Sequence, residues 1–165
     1  MGYNLINKEN RMNSKLLYPC LAVVLGTGAG YATSVMAQAK PDVLVKQRQA
    51  VMTLQGKYFG PLGAMAQDKA PYNAAVVQRN AGFLDNLSRM PWDGFDPSTK
   101  GEKSRALPAV YEDKAKFDQN GSALETEVSK LVSVSRSGDE AAVKAQISAV
   151  AKVCGACHND FRAKQ

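Results

Sequence analysis

Val143, Ile147, Val150, Cys154, Cys157 and Phe161 recur at intervals of four, three, four, three and four. Apolar side chains at that rhythm line one face of an α-helix, and such a stripe is stable only when a neighbouring element covers it. The end of the chain is therefore expected to be a helix packed on others. Two cysteines on the stripe point into whatever it packs against.

The same spacing recurs three more times, and no alternation of the strand type persists. Pro41, a residue favoured in a first helical turn, opens a segment running to about Gln67, with Gly60-Pro61 marking an expected kink. Asn73 is a suitable N-cap for a second helix, with Tyr72 and Val77 as a hydrophobic staple and Val76, Asn80, Phe83, Leu87 and Met90 as its stripe. A connection rich in glycine, proline and polar residues follows from Pro91 to Gly101 and carries Trp92 and Phe95, rings that are costly to leave in water. Pro108 opens a third helix with the stripe Phe117, Gly121, Leu124, Val128 and Leu131, ended by Ser137-Gly138, and Asp139 caps the fourth. The predicted fold is all-α, an antiparallel up-down four-helix bundle.

At the other end, Arg11 and Lys15 precede an apolar run from Leu16 to Leu25, and small residues lead to Val-Met-Ala-Gln-Ala at 35–39. That is the layout of a secretory leader over residues 1–37, with cleavage after Ala37 or Ala39, leaving 38–165 as one domain. An apolar run interrupted by Pro19 is short for a membrane span, so no membrane contact is expected after cleavage. Cys20 leaves with the leader. The chain has 21 basic and 15 acidic residues, scattered without an arginine-rich run or interleaved aromatics, so nucleic acid is not an expected partner.

Cys154, Cys157 and His158 form Cys-x-x-Cys-His, and His158 is the only histidine in the chain. Residues three and four apart share a helical face, so two sulfurs and an imidazole converge. A closed zinc site wants four ligands, and the mature chain offers no further cysteine or histidine. A thioredoxin-like pair belongs at a helix start after a strand, and no strand is expected. A disulfide across three helical residues would close a tiny strained loop. The motif is instead the attachment signature of c-type haem, in which each thiol adds across a vinyl group and the histidine binds iron. One haem c per chain, held covalently on the C-terminal helix, is expected, and assembly through reduced thiols after export points to the periplasm.

Four stretches in order, 46–52 (KQRQAVM), 70–75 (APYNAA), 90–95 (MPWDGF) and 154–162 (CGACHNDFR), give residues 40–165 a resemblance to cytochrome c′, a family of exported four-helix haem proteins. The resemblance implies that Cys154 and Cys157 are the thioether residues and His158 the axial iron ligand. It implies that Arg162 lies on the proximal side, that Arg48, Gln49 and, less closely matched, Arg105 meet the propionates, and that Trp92 and Phe95 pack the haem. It further implies binding of nitric oxide and carbon monoxide, electron transfer with redox partner proteins, and a homodimer through the first two helices.

Met52 matches the distal position, and the residue allows two readings. Unbonded, it is an apolar lid over a five-coordinate high-spin iron that binds gases, the reading favoured by the matched aromatics Trp92 and Phe95. Bonded, it fills the sixth site and makes a low-spin His/Met electron carrier. Haem enzyme chemistry would need a distal acid or base, and Met52 is neither, so no enzymatic activity is expected.

Overall fold

The computed structural model describes residues 39–164; the leader expected over 1–37, with Cys20, lies outside them. Helix α1 spans Pro41–Ala66, α2 Ala74–Ser88, a short α3 Ala109–Glu112, α4 Lys114–Val134 and α5 Glu140–Phe161. Each long helix has two long neighbours: α1 packs on α2 and α5, and α4 packs on α2 and α5, so the four close a ring. The described residues thus form a four-helix bundle with one short additional α-helix. Among the described residues no helix is long and apolar enough to cross a membrane.

Helix starts follow local chemistry. Asn73, Asp113 and Asp139 each accept a hydrogen bond from the backbone N–H three residues on, satisfying a donor the helix itself leaves orphaned. Helix α1 begins at Pro41 and stays continuous through Pro61, where a kink was expected; five more helical residues follow the lost N–H.

Two expectations need correction. The buried face of α2 is Val77, Asn80, Ala81, Leu84 and Leu87, whereas Phe83 is 43% exposed and Met90, beyond the helix, 56%. The true stripe thus runs one residue later at Val77 and Leu84, while Asn80 and Leu87 keep their place. The helix expected from Pro108 is broken at Asp113, whose backbone leaves helical geometry (φ −117°, ψ 59°) while its side chain caps the new start.

Burial is divided between two clusters. The larger takes Leu62, Val77, Leu84, Leu131, Ile147 and neighbouring residues from all four long helices. The smaller is aromatic: Phe117 meets Phe161 edge-on at 5.3 Å and Phe95 at 4.8 Å, with Trp92 at 5.8 Å. Trp92 closes onto Gly121, where an added Cβ would lie 3.2 Å from the indole, and its Nε1–H donates to Glu125 at 2.9 Å. The loop aromatics expected to pack against something therefore do, and the stripe glycine is what admits the indole.

Candidate haem site

Cys154 packs against the larger cluster and Cys157 against the aromatic one. One cavity of about 610 Å³ is lined by members of both clusters, among them Leu84, Val128 and Val150 from the first and Trp92, Phe95 and Phe161 from the second. That volume is in the range of small-molecule and cofactor sites, and the wall is mostly apolar. All ten residues singled out from the sequence reach its wall: Arg48, Gln49 and Met52 from α1, Trp92, Phe95 and Arg105 from the α2–α3 connection, and Cys154, Cys157, His158 and Arg162 from α5 and its end. Sequence reasoning missed Gly56 and Phe59 on the same wall. They continue the α1 series from Met52 at steps of four and three, so the signal was there.

Burial pushes the Cys154 thiol up, and burial, then Cys154 and Asp160, push Cys157 up to about 11 against the pull of Arg162. Both shifts run opposite to the depressed value a thiol–disulfide redox cysteine needs. Burial first, then the guanidiniums of Arg162 and Arg105, hold His158 below its ordinary range. The neutral ring, the form that can bind a metal, is thereby favoured. Among the described residues no three His, Cys, Asp or Glu side chains are grouped to hold an ion.

The cations of the wall point to what else the group must carry. Arg48 is 3% exposed, yet among the described residues no carboxylate comes within ion-pairing distance of Arg48, Arg105 or Arg162. Arg48 donates instead to neutral acceptors, the Gly94 carbonyl, Thr99 Oγ1 at 2.9 Å and Ser104 Oγ at 3.1 Å, and its guanidinium lies 4.4 Å from the Phe95 ring centre. A buried cation without a counter-ion is costly, and an anionic ligand in the cavity would offset that cost. Arg105 and Arg162 are brought to one edge by an antiparallel bridge between Ala106 and Arg162, with Leu107 N–H donating to the Phe161 carbonyl at 3.0 Å and Ala163 N–H to the Arg105 carbonyl at 2.9 Å. Two thiols and an imidazole on one helix, an apolar cavity and unpaired guanidiniums together fit a haem with its two carboxylates.

Comparison with known proteins gives a consistent result. The family profile described as Cytochrome C′ matches residues 43–162. Cytochrome c′ of Alcaligenes xylosoxydans xylosoxydans is 35% identical over 127 residues, 77% of this chain and 98% of that protein. The crystal structure of cytochrome c′ from Rubrivivax gelatinosus aligns with a TM-score of 0.71 at 35% identity, over 75% of this chain and 98% of that one. A ferrous variant of the Alcaligenes xylosoxidans protein, solved with bound NO, aligns with a TM-score of 0.71 at 34% identity, over 78% of this chain and 99% of that one.

Proposed function

This chain belongs to the cytochrome c′ family, and from that premise we propose that it is a periplasmic, five-coordinate haem protein that binds nitric oxide and carbon monoxide and exchanges single electrons with redox partner proteins. It carries covalently attached haem c and binds small gases. Within the proposal, Cys154 and Cys157 hold the haem through thioethers, His158 is the one protein ligand of the iron, and Arg162 lies beside it. Arg48, Gln49 and Arg105 face the propionates, while Trp92 and Phe95 pack the haem edge. The bound haem supplies a one-electron iron couple and a coordination site for a diatomic molecule.

The observation that carries this reading is the convergence of all ten residues on one cavity wall to which no Asp or Glu contributes. His158 is the only imidazole there, so no second group is placed to take or give a proton at a bound ligand. That arrangement favours ligand binding and electron transfer over acid–base catalysis at a bound ligand. Met52, half-buried on the α1 wall, acts as an apolar lid that an entering gas must displace. Export is supported by the leader-like layout of residues 1–37.

Absorption spectra of the purified ferric and ferrous protein, before and after nitric oxide and carbon monoxide, test this. High-spin bands, binding of both gases and an unchanged ferric spectrum in Met52→Ala are expected. Low-spin bands with a methionine-to-iron charge-transfer feature that Met52→Ala removes, and indifference to carbon monoxide, would replace it with the His/Met electron carrier.

A homodimer through α1 and α2 is part of the proposal. Among the described residues the large apolar side chains left exposed are Leu54 at 39% on α1, Phe83 at 43% on α2 and Met90 at 56% just beyond it. Light scattering should give twice the chain mass, falling to the single-chain mass in Leu54→Glu/Phe83→Glu; a wild-type monomer would remove this part.

A further inference from the structure

We propose that Tyr111 is a positioning residue for the haem, acting through Thr99 to fix the pose and orientation of the Arg48 guanidinium. The inference rests on the reading of Arg48 as the residue facing a propionate.

Thr99 Oγ1 has three partners: Arg48 at 2.9 Å, the Asp96 carbonyl at 2.7 Å and the Tyr111 hydroxyl at 2.8 Å. A threonine hydroxyl has one proton to give and two lone pairs to accept with. The guanidinium can only donate and the carbonyl can only accept, so Thr99 gives its proton to Asp96 and Tyr111 must donate to Thr99. Every capacity of that oxygen is then used, and at 1% exposure no water can stand in for a missing partner.

The chain Tyr111 to Thr99 to Arg48 joins three elements far apart in sequence: α3, the turn at 97–99 and α1. The turn is itself held, since Asp96 accepts from Ser98 N–H at 2.8 Å and from Thr99 N–H at 2.9 Å. Two of the five guanidinium N–H groups are spent on Gly94 and Thr99 and a third on Ser104. Two remain for an anion in the cavity that Arg48 lines. Removing the Tyr111 hydroxyl leaves a buried lone pair on Thr99 and frees its hydroxyl to rotate, so the acceptor that aims Arg48 is no longer fixed.

A positive charge held near the haem favours the electron-rich ferrous state, so a loosened Arg48 lowers the reduction potential. Spectroelectrochemical titration of the holoprotein reads this directly. Tyr111→Phe, which keeps the ring, should raise the ferric-to-ferrous ratio at fixed potential about threefold, roughly 28 mV at 59 mV per tenfold. Arg48→Gln should shift it in the same direction by more, and Tyr111→Phe should add nothing in the Arg48→Gln background. Thr99→Val should behave like Tyr111→Phe, and Thr99→Ser, which restores the hydroxyl, should recover the wild-type potential. A wild-type potential in Tyr111→Phe beside a shifted Arg48→Gln would overturn the role of Tyr111 and leave the Arg48 reading standing. An undiminished effect of Tyr111→Phe without Arg48 would also overturn it. An unshifted Arg48→Gln would remove the Arg48 reading itself, and the proposal with it.

Discussion

Replacing Cys154 and Cys157 together by serine should yield a chain that loses its haem to acidified organic solvent and unfolds about 10 °C or more below wild type. The thiols do more than anchor a cofactor. They line a cavity of about 610 Å³ whose wall is mostly apolar, surface that a seated haem would take out of water at about 25 cal/mol per Å². Loss of that burial is a sizeable part of a total domain stability of only about 5–15 kcal/mol, so the cofactor contributes to holding the fold. A tethered haem is present at high effective concentration whenever the chain refolds. A free haem contributes only through mass action, about 4 kcal/mol at a thousandfold excess over its Kd and progressively less on dilution. The thermal midpoint of the serine variant should accordingly rise with added haem, whereas the wild-type midpoint should not. Denaturing mass spectrometry gives the attachment and thermal melting the stability. Haem that survives extraction from the double variant, with an unchanged midpoint, would refute the assignment of these two cysteines.

How much of this was legible before folding depended on whether the signal was local. The α5 stripe could be read because only one helical register through Val143, Ile147 and Val150 is apolar, and all three are essentially fully buried. In α2 the adjacent pairs Val76-Val77 and Phe83-Leu84 offer two registers one residue apart. Periodicity does not choose between them. Packing against α4 and α1 selects Val77 and Leu84, leaving Phe83 tilted against Tyr58 near the surface, ring centres 4.7 Å apart. The break before α4 has a local signal, since Asp113 is as good a cap as Asp139.

The site shows the same division. The cysteines, His158 and Arg162 lie within nine residues, and their convergence follows from helix geometry. What holds Arg48 does not, because Gly94, Thr99 and Ser104 lie 46, 51 and 56 residues away in a connection whose path no periodicity dictates. A buried arginine in an apolar stripe signals that neutral acceptors or an anion must meet it, but not which residues supply them.

Gly94→Ala should destabilise the holoprotein by about 1–3 kcal/mol and lower its haem potential, although it adds one methyl group. Gly94 lies on the side of negative φ, so conformational freedom is not why glycine stands there. Close approach is: a Cβ would meet Arg48 Cβ at 2.8 Å and the Leu44 carbonyl oxygen at 3.1 Å. Both atoms belong to, or sit directly on, the α1 backbone, so no flexible side-chain end can swing aside. The loop must instead retreat, and the Gly94 carbonyl and Thr99 hydroxyl retreat with it from the guanidinium they accept from. A single methyl group on the connection would thus act on the haem through Arg48. Gly82 in α2 is the matched control: a Cβ there meets nothing within 4 Å, so Gly82→Ala should be neutral or stabilising by up to about 1 kcal/mol. Denaturant unfolding beside a redox titration separates the outcomes. A Gly94→Ala protein as stable as wild type and unshifted in potential would mean that the connection relaxes freely away from α1, and that Arg48 does not depend on it.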